Sequence, residues 1–138
     1  MLEFNLFLID YWYFSVPLFF FMFLFAYSEM NKGGKKIEPN ELTRLVNKES
    51  AILIDLRKKE DYENGHIMTA LNYPHQEFDN QMHELEKFKD RPIILVCDMG
   101  RNSANIGEKL KKAEFEKTFR LNGGMMTWTQ ENLPVVQK

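Results

Sequence analysis

The stretch VCDMGRNSANIGEKL, residues 96–110, holds the only cysteine of the chain, Cys97. A wholly apolar run, IILVC, ends on it, and a helical pattern starts a few residues later. Between them lie Asp98, Met99, Gly100, Arg101, Asn102 and Ser103. A short loop that curls around a sulfur at the start of a helix turns backbone N–H groups inward and adds the partial positive charge of the helix end. Such a setting stabilises an anion on sulfur, either a thiolate or the persulfide formed when it takes up one more sulfur. Arg101 would add a full positive charge, and Ser103 would cap the helix and donate a hydrogen bond. The bland reading of an unpaired cysteine is a small buried hydrophobe. The glycine, arginine and serine around a helix start favour reactivity here.

The elements that must position this loop alternate between strand and helix. The runs AILIDLR (51–57) and IILVC (93–97) are apolar without alternation, the mark of strands covered on both faces. ALNYP (70–74) is a short strand ended by Pro74, and KTFRLNGG (117–124) is a strand with a glycine turn. Helices are expected at 39–48, where Pro39 starts one, at 76–88, over SANIGEKLKKAEF (103–115), and at MMTWTQENL (125–133). This is the pattern of an α/β fold with an open parallel sheet flanked by helices. In such sheets ligands bind at the carboxyl ends of the strands, where Cys97 stands.

Residues 4–27 differ from the rest. They hold most of the phenylalanines, whereas every lysine and arginine lies after residue 30. Tyr11 to Tyr27 carries no charge and, as a helix, is about 25 Å long, so a few preceding residues complete a bilayer span. Tyr11, Trp12, Tyr13 and Tyr27 suit its interfaces, and Pro17 is tolerated there with a kink. Glu3 and Asp10 precede the span and Lys32, Lys35 and Lys36 follow it, which places the N-terminus outside and the remainder in the cytoplasm. The acidic start and the absence of an A-x-A pattern in LFAYSEM argue against a cleaved signal. The expected organisation is an N-terminal transmembrane anchor at 1–28, a linker at 29–36 made flexible by Gly33 and Gly34, and a domain at 37–138.

Four motifs in this order resemble the single-domain rhodaneses, which are sulfurtransferases: LIDLR (53–57) for a strand ending in D-x-R, DYENGHI with ALNYP, CDMGRNS for the C-x-x-G-x-x-S loop, and LNGGMMTWTQENLPV for the closing segment. The membrane anchor adds a likeness to the inner-membrane rhodanese-like proteins of bacteria. The resemblance implies a rhodanese-like fold over 37–138. It implies that Cys97 is the nucleophile that carries a sulfane sulfur as a persulfide, and that Asp98, Met99, Gly100, Arg101, Asn102 and Ser103 form the loop that holds it. It implies a donor such as thiosulfate, an acceptor thiol or protein from outside the chain, and no cofactor. Many family loops place an arginine where this chain has Asn102, with Arg101 one position earlier; Asp61 stands where glutamate is commoner. Asp55 and Arg57 are expected to brace strand ends, His66 to satisfy backbone groups, and Trp128 to be core.

Other chemistries fit less well. The three histidines lack zinc-type spacing and no second cysteine is present, so no metal is expected. Acids and bases balance after residue 28, which gives no footprint for nucleic acid. A cysteine phosphatase or arsenate reductase would carry an arginine where Ser103 stands. A rhodanese-like module that only docks a partner, or one that uses its thiol as a redox sensor, is the rival from a different class.

Overall fold

The computed structural model describes residues 1–30 and 32–137. Within them the strands are β1 (Lys35–Ile37), β2 (Ile52–Asp55), β3 (Leu71–Asn72), β4 (Ile93–Val96) and β5 (Thr118–Leu121). The helices are α1 (Leu2–Asp10), α2 (Trp12–Met30), α3 (Pro39–Lys48), α4 (Lys59–Asn64), α5 (Phe78–Gln81), α6 (Arg101–Lys112) and α7 (Gly124–Gln130), with a 3-10 helix at Met82–Phe88. The chain falls into two compact units, residues 1–31 and 32–138.

In the second unit all strand pairs are parallel and the order is β1-β5-β4-β2-β3, so β4 occupies the centre. Successive strand residues face opposite sides, and this explains why β4 is apolar throughout. Ile94 and Val96 join a core with Leu42 and Leu45 of α3 and Met125 and Trp128 of α7. Ile93, Leu95 and the following Cys97 join a second core with Phe78, Leu85 and, from α6, Ile106 and Leu110. Two layers of helix therefore bury the sheet, and Cys97 extends the row of side chains on the α6 side.

The differences from sequence expectation are local. β1 begins at Lys35, inside the stretch read as a linker, because its backbone pairs with β5. Gly33 and Gly34 are buried rather than free, and the Gly33 N–H donates to Glu108 Oε1 at 2.7 Å. Residues 59–64, a polar run with no apolar stripe to mark a helix, form α4. The helix expected over 76–88 is one α-turn continued as a 3-10 helix, with Phe78 and Leu85 fully buried. α6 starts two residues earlier than expected and ends at Lys112.

At the end of β2 the Asp55 carboxylate accepts the Arg57 backbone N–H at 2.9 Å and its guanidinium at 2.8 and 3.0 Å. The same guanidinium donates to the Gly65 carbonyl at 2.7 Å, tying the far end of α4 to the sheet edge. Asn72 donates to the carbonyls of Asp55 and Arg57, which fastens β3 to the same point. Both charged side chains are largely buried, so each is the other's replacement for water. His66 stacks on Tyr62 at 3.8 Å, its Nδ1 lies 2.8 Å from the Tyr62 carbonyl, and its backbone pairs with Val136. Trp128 donates its Nε1–H to the Pro134 carbonyl at 3.0 Å.

In the first unit, α2 contains an 18-residue stretch, Trp12–Glu29, with mean hydropathy 1.2 and none of it buried. By length and composition it is apolar enough to cross a membrane. α1 is a separate helix, ended at Tyr11, and Pro17 lies inside α2.

Removing one partner of the Asp55–Arg57 pair leaves a buried charge without compensation. Asp55→Ala is expected to cost about 3–5 kcal/mol, read by urea unfolding of residues 29–138; a loss below about 1 kcal/mol, the range of exposed pairs, would contradict this.

Candidate active site

β4 delivers Cys97 to the carboxyl edge of the sheet, where the chain turns through Asp98, Met99 and Gly100 into α6. Gly100 makes the turn possible, with φ at 88°, a left-handed conformation that costs a side-chain-bearing residue about 1–2 kcal/mol. That conformation aims the Gly100 N–H back at the sulfur, and it donates to Cys97 Sγ at 2.9 Å. The Ser103 hydroxyl donates to the Gly100 carbonyl at 2.8 Å from the first turn of α6. Ser103 is thus not the cap expected from the sequence: Gly100 occupies that position, and Ser103 braces the loop from within the helix.

The loop is also held from the next crossover. Met125 and Met126, in the first turn of α7, donate their N–H groups to the carbonyls of Cys97 and Asp98 at 2.7 and 3.0 Å. This approach leaves no room for a side chain at Gly124, where an added Cβ would lie 2.1 Å from the Cys97 oxygen. Gly124, the second glycine of the expected turn, therefore seats the Cys97 loop. The identity of these donors was not visible in the sequence, because they act through backbone and carry methionine side chains.

Cys97 is 2% exposed. A cleft of about 210 Å³ reaches it, with Cys97, Asp98 and Asn102 on one side and Lys58, Asp61 and His75 on the other. A broader depression of about 730 Å³ shares Lys58 with this cleft but is not lined by Cys97. Arg101 is exposed and does not line the cleft, whereas Asn102 does. Asp98 and Met99 are exposed and Ser103 is fully buried. His75 was not singled out by spacing. It follows the strand-ending Pro74, its backbone N–H donates to the Leu56 carbonyl at 3.0 Å, and its Nδ1 lies 3.3 Å from the same oxygen. The rule that sites gather at the carboxyl ends of parallel strands was the available signal for it.

Asp55 and Arg57 stand behind the cleft and brace it, Arg57 itself forming part of the lining. His66 and Trp128 lie apart from it: His66 is bound to backbone, and Trp128 belongs to the core on the opposite face of the sheet from Cys97. Burial, and then the nearby Asp55 charge, raise the pKa of the Tyr62 phenol, which donates to the Ala70 carbonyl at 2.6 Å.

A five-stranded parallel sheet whose central strand ends in a cysteine loop defines a class, and the family comparison agrees. The chain belongs to the rhodanese-like domain family, whose model matches residues 38–131. It is 38% identical to the uncharacterized protein YibN of Escherichia coli over 81% of this chain and 79% of that one. It is 28% identical to the thiosulfate sulfurtransferase GlpE of Shewanella oneidensis, over 71% of this chain and 95% of the other. Among solved structures, a rhodanese-related protein from Thermoplasma volcanium superimposes with a TM-score of 0.68 at 24% identity, over 75% of this chain and 99% of its own. A rhodanese-like domain protein from Staphylococcus aureus gives a TM-score of 0.65 at 25% identity, over 75% and 98%.

Gly100 and Gly124 both have positive φ, yet their surroundings differ. An added Cβ at Gly100 meets nothing closer than 3.8 Å, so Gly100→Ala is expected to cost only the backbone strain of about 1–2 kcal/mol. Gly124→Ala adds a collision with the Cys97 carbonyl and is expected to cost clearly more. Parallel urea unfolding of the two variants checks the order; equal losses would mean that α7 gives way easily.

Proposed function

We propose that the chain is a sulfurtransferase that works through a persulfide on Cys97. The observation that carries this reading is the Gly100 N–H aimed at Cys97 Sγ at the start of α6, beside a cleft open to small molecules. The family and the thiosulfate sulfurtransferase relatives support it. The Cys97 thiolate attacks the outer sulfur of a donor such as thiosulfate. A sulfur–sulfur bond to Cys97 forms, the bond to the sulfonate sulfur breaks, and sulfite leaves with the electron pair. An acceptor nucleophile, cyanide or a thiolate, then attacks the outer sulfur and the Cys97 thiolate departs. This is covalent catalysis in two half-reactions. Amides of the loop 98–103 hold the anionic intermediate, with Asn102 at the cleft and Arg101 toward solvent. The chain offers no second cysteine, so the acceptor is external.

The same proposal places residues 1–28 as a single-pass anchor and the rhodanese-like domain, whose sheet already includes Lys35 and Lys36 of the expected linker, on the cytoplasmic face. The uncharged, aromatic-rich α2 supports the span, and the lysines after it support the orientation.

Two experiments test this. Residues 29–138 and their Cys97→Ser variant are incubated with thiosulfate and weighed intact before and after cyanide. Gain of one sulfur by the wild type alone, reversed by cyanide, is expected; no gain from thiosulfate or a low-molecular-weight persulfide would sink the transferase reading in favour of docking or redox sensing. For the anchor, the full chain should sediment with bacterial membranes and resist alkaline carbonate, while residues 29–138 stay soluble. A C-terminal tag should be shielded from protease in intact spheroplasts; its digestion there would reverse the orientation.

A further inference from the structure

On the other side of the Cys97 loop from the cleft lies a second, smaller cavity of about 150 Å³. Its principal feature is Arg120, on β5, which is 5% exposed. The parallel register sets Arg120 between Leu95 of β4 and Lys36 of β1, on the face of the sheet that carries Cys97. Arg120 donates its Nε–H to the Gly34 carbonyl at 3.2 Å. Among the described residues nothing accepts a hydrogen bond from its two terminal nitrogens, and Arg120 lines the cavity. Neither Arg120 nor Lys36 makes an ion pair among the described residues. Glu108 is close enough to favour the charged guanidinium, but its carboxylate accepts the Gly33 N–H and makes no hydrogen bond or ion pair with Arg120 among the described residues.

Burial pulls the Arg120 pKa down, and Cys97 and then Glu108 oppose that. A guanidinium nonetheless stays protonated in proteins. The fold therefore holds one fixed buried cation beside a second cation in direct register, and like charges so placed repel. Gly100, the N-cap of the twelve-residue α6, borders the same cavity, so the positive end of that helix adds to the field. Ser103 and Asn122 supply further polar lining. The space is several times the ~30 Å³ that one water occupies in the liquid, enough for a four- or five-atom anion.

We propose that this cavity binds a small dianionic oxyanion of the sulfite, sulfate or phosphate class, with Arg120 as its fixed fork and Lys36 as its movable second charge. Arginine's planar donors suit two oxygens of such an ion. Gly100, whose N–H bonds to Sγ, borders the cavity, and Arg120 is close enough to Cys97 for their charges to interact. The site does not depend on sulfur transfer and would exist in a domain that never turned over.

The test uses the full chain in detergent micelles with Cys97→Ser, so that no chemistry competes with binding. Sodium sulfite and sodium phosphate are titrated separately by calorimetry at constant ionic strength. One-site binding is expected, weakened about tenfold or more by Arg120→Met, as for loss of a charged hydrogen bond, and less by Lys36→Met. Arg120→Lys, which keeps the charge without the fork, should retain part of the affinity; with Lys36→Met it carries the test if Arg120→Met does not fold. Sulfite bound more tightly than phosphate identifies the ligand with the leaving group of a thiosulfate donor; equal binding identifies a general oxyanion site. No heat from either salt at about 10 mM, roughly a hundredfold above a dissociation constant of about 0.1 mM, or equal affinity in folded Arg120 and Lys36 variants, would overturn the proposal. Because the titrated protein lacks Cys97, this result stands apart from success or failure of the persulfide cycle.

Discussion

The carbonyl oxygen of Cys97 accepts the N–H of Met125 at 2.7 Å, and much else in the second unit is arranged around that bond. It joins the loop after the central strand to the helix after β5. For it to form, β4 and β5 must lie side by side in parallel register, which is what the two-sided core secures. The close approach also demands glycine at position 124. With the loop held at its Cys97 and Asp98 carbonyls and braced by Ser103, the Gly100 amide points at the sulfur. A preorganised donor of this kind needs no rearrangement when charge develops on its partner.

Much of this was legible before any coordinates. The runs 51–57 and 93–97 betrayed buried parallel strands because residues on both faces had to be apolar. Pro39 marked the start of α3 because proline fits the first turn of a helix. The cysteine, the glycine three residues later and the serine three beyond that could be read as one loop because their spacing is local. What escaped notice was governed by long-range pairing. β1 is three residues long and polar at two of them, so nothing short of its pairing with β5 reveals it. α4 is a single polar helix without a buried residue, which leaves no periodic stripe to read. Ser103 suits a cap by its type, yet the left-handed Gly100 occupies that position. Arg120 and Lys36 are far apart in sequence, and only the β1–β5 register makes them neighbours.

The charged groups divide by depth. Asp55 and Arg57 neutralise one another and stiffen the rim where β2, β3 and α4 meet. The exposed pairs Arg44–Glu41 and Lys109–Asp79 sit in water, where such contacts add little to stability. Arg120 belongs to neither group, being buried without a carboxylate of its own. The contrast shows how differently one fold can treat arginine: as a structural brace on one side of the cysteine loop and as an open donor on the other.

The topology also imposes an order of assembly. Every strand pairing is parallel, so no hairpin can form early, and the first strand pairs only with the last. A nascent chain would expose α1 and α2 first, while β1 waits for some eighty residues before Phe119 and Leu121 emerge to receive Lys35 and Ile37. Until then β4 has an unpaired edge, and the Cys97 carbonyl lacks the α7 amide that seats it. Folding in such a sheet is slow because distant segments must meet before any contact rewards them. Maturation of the cysteine loop is thus tied to the emergence of α7, whose first turn seats the Cys97 and Asp98 carbonyls.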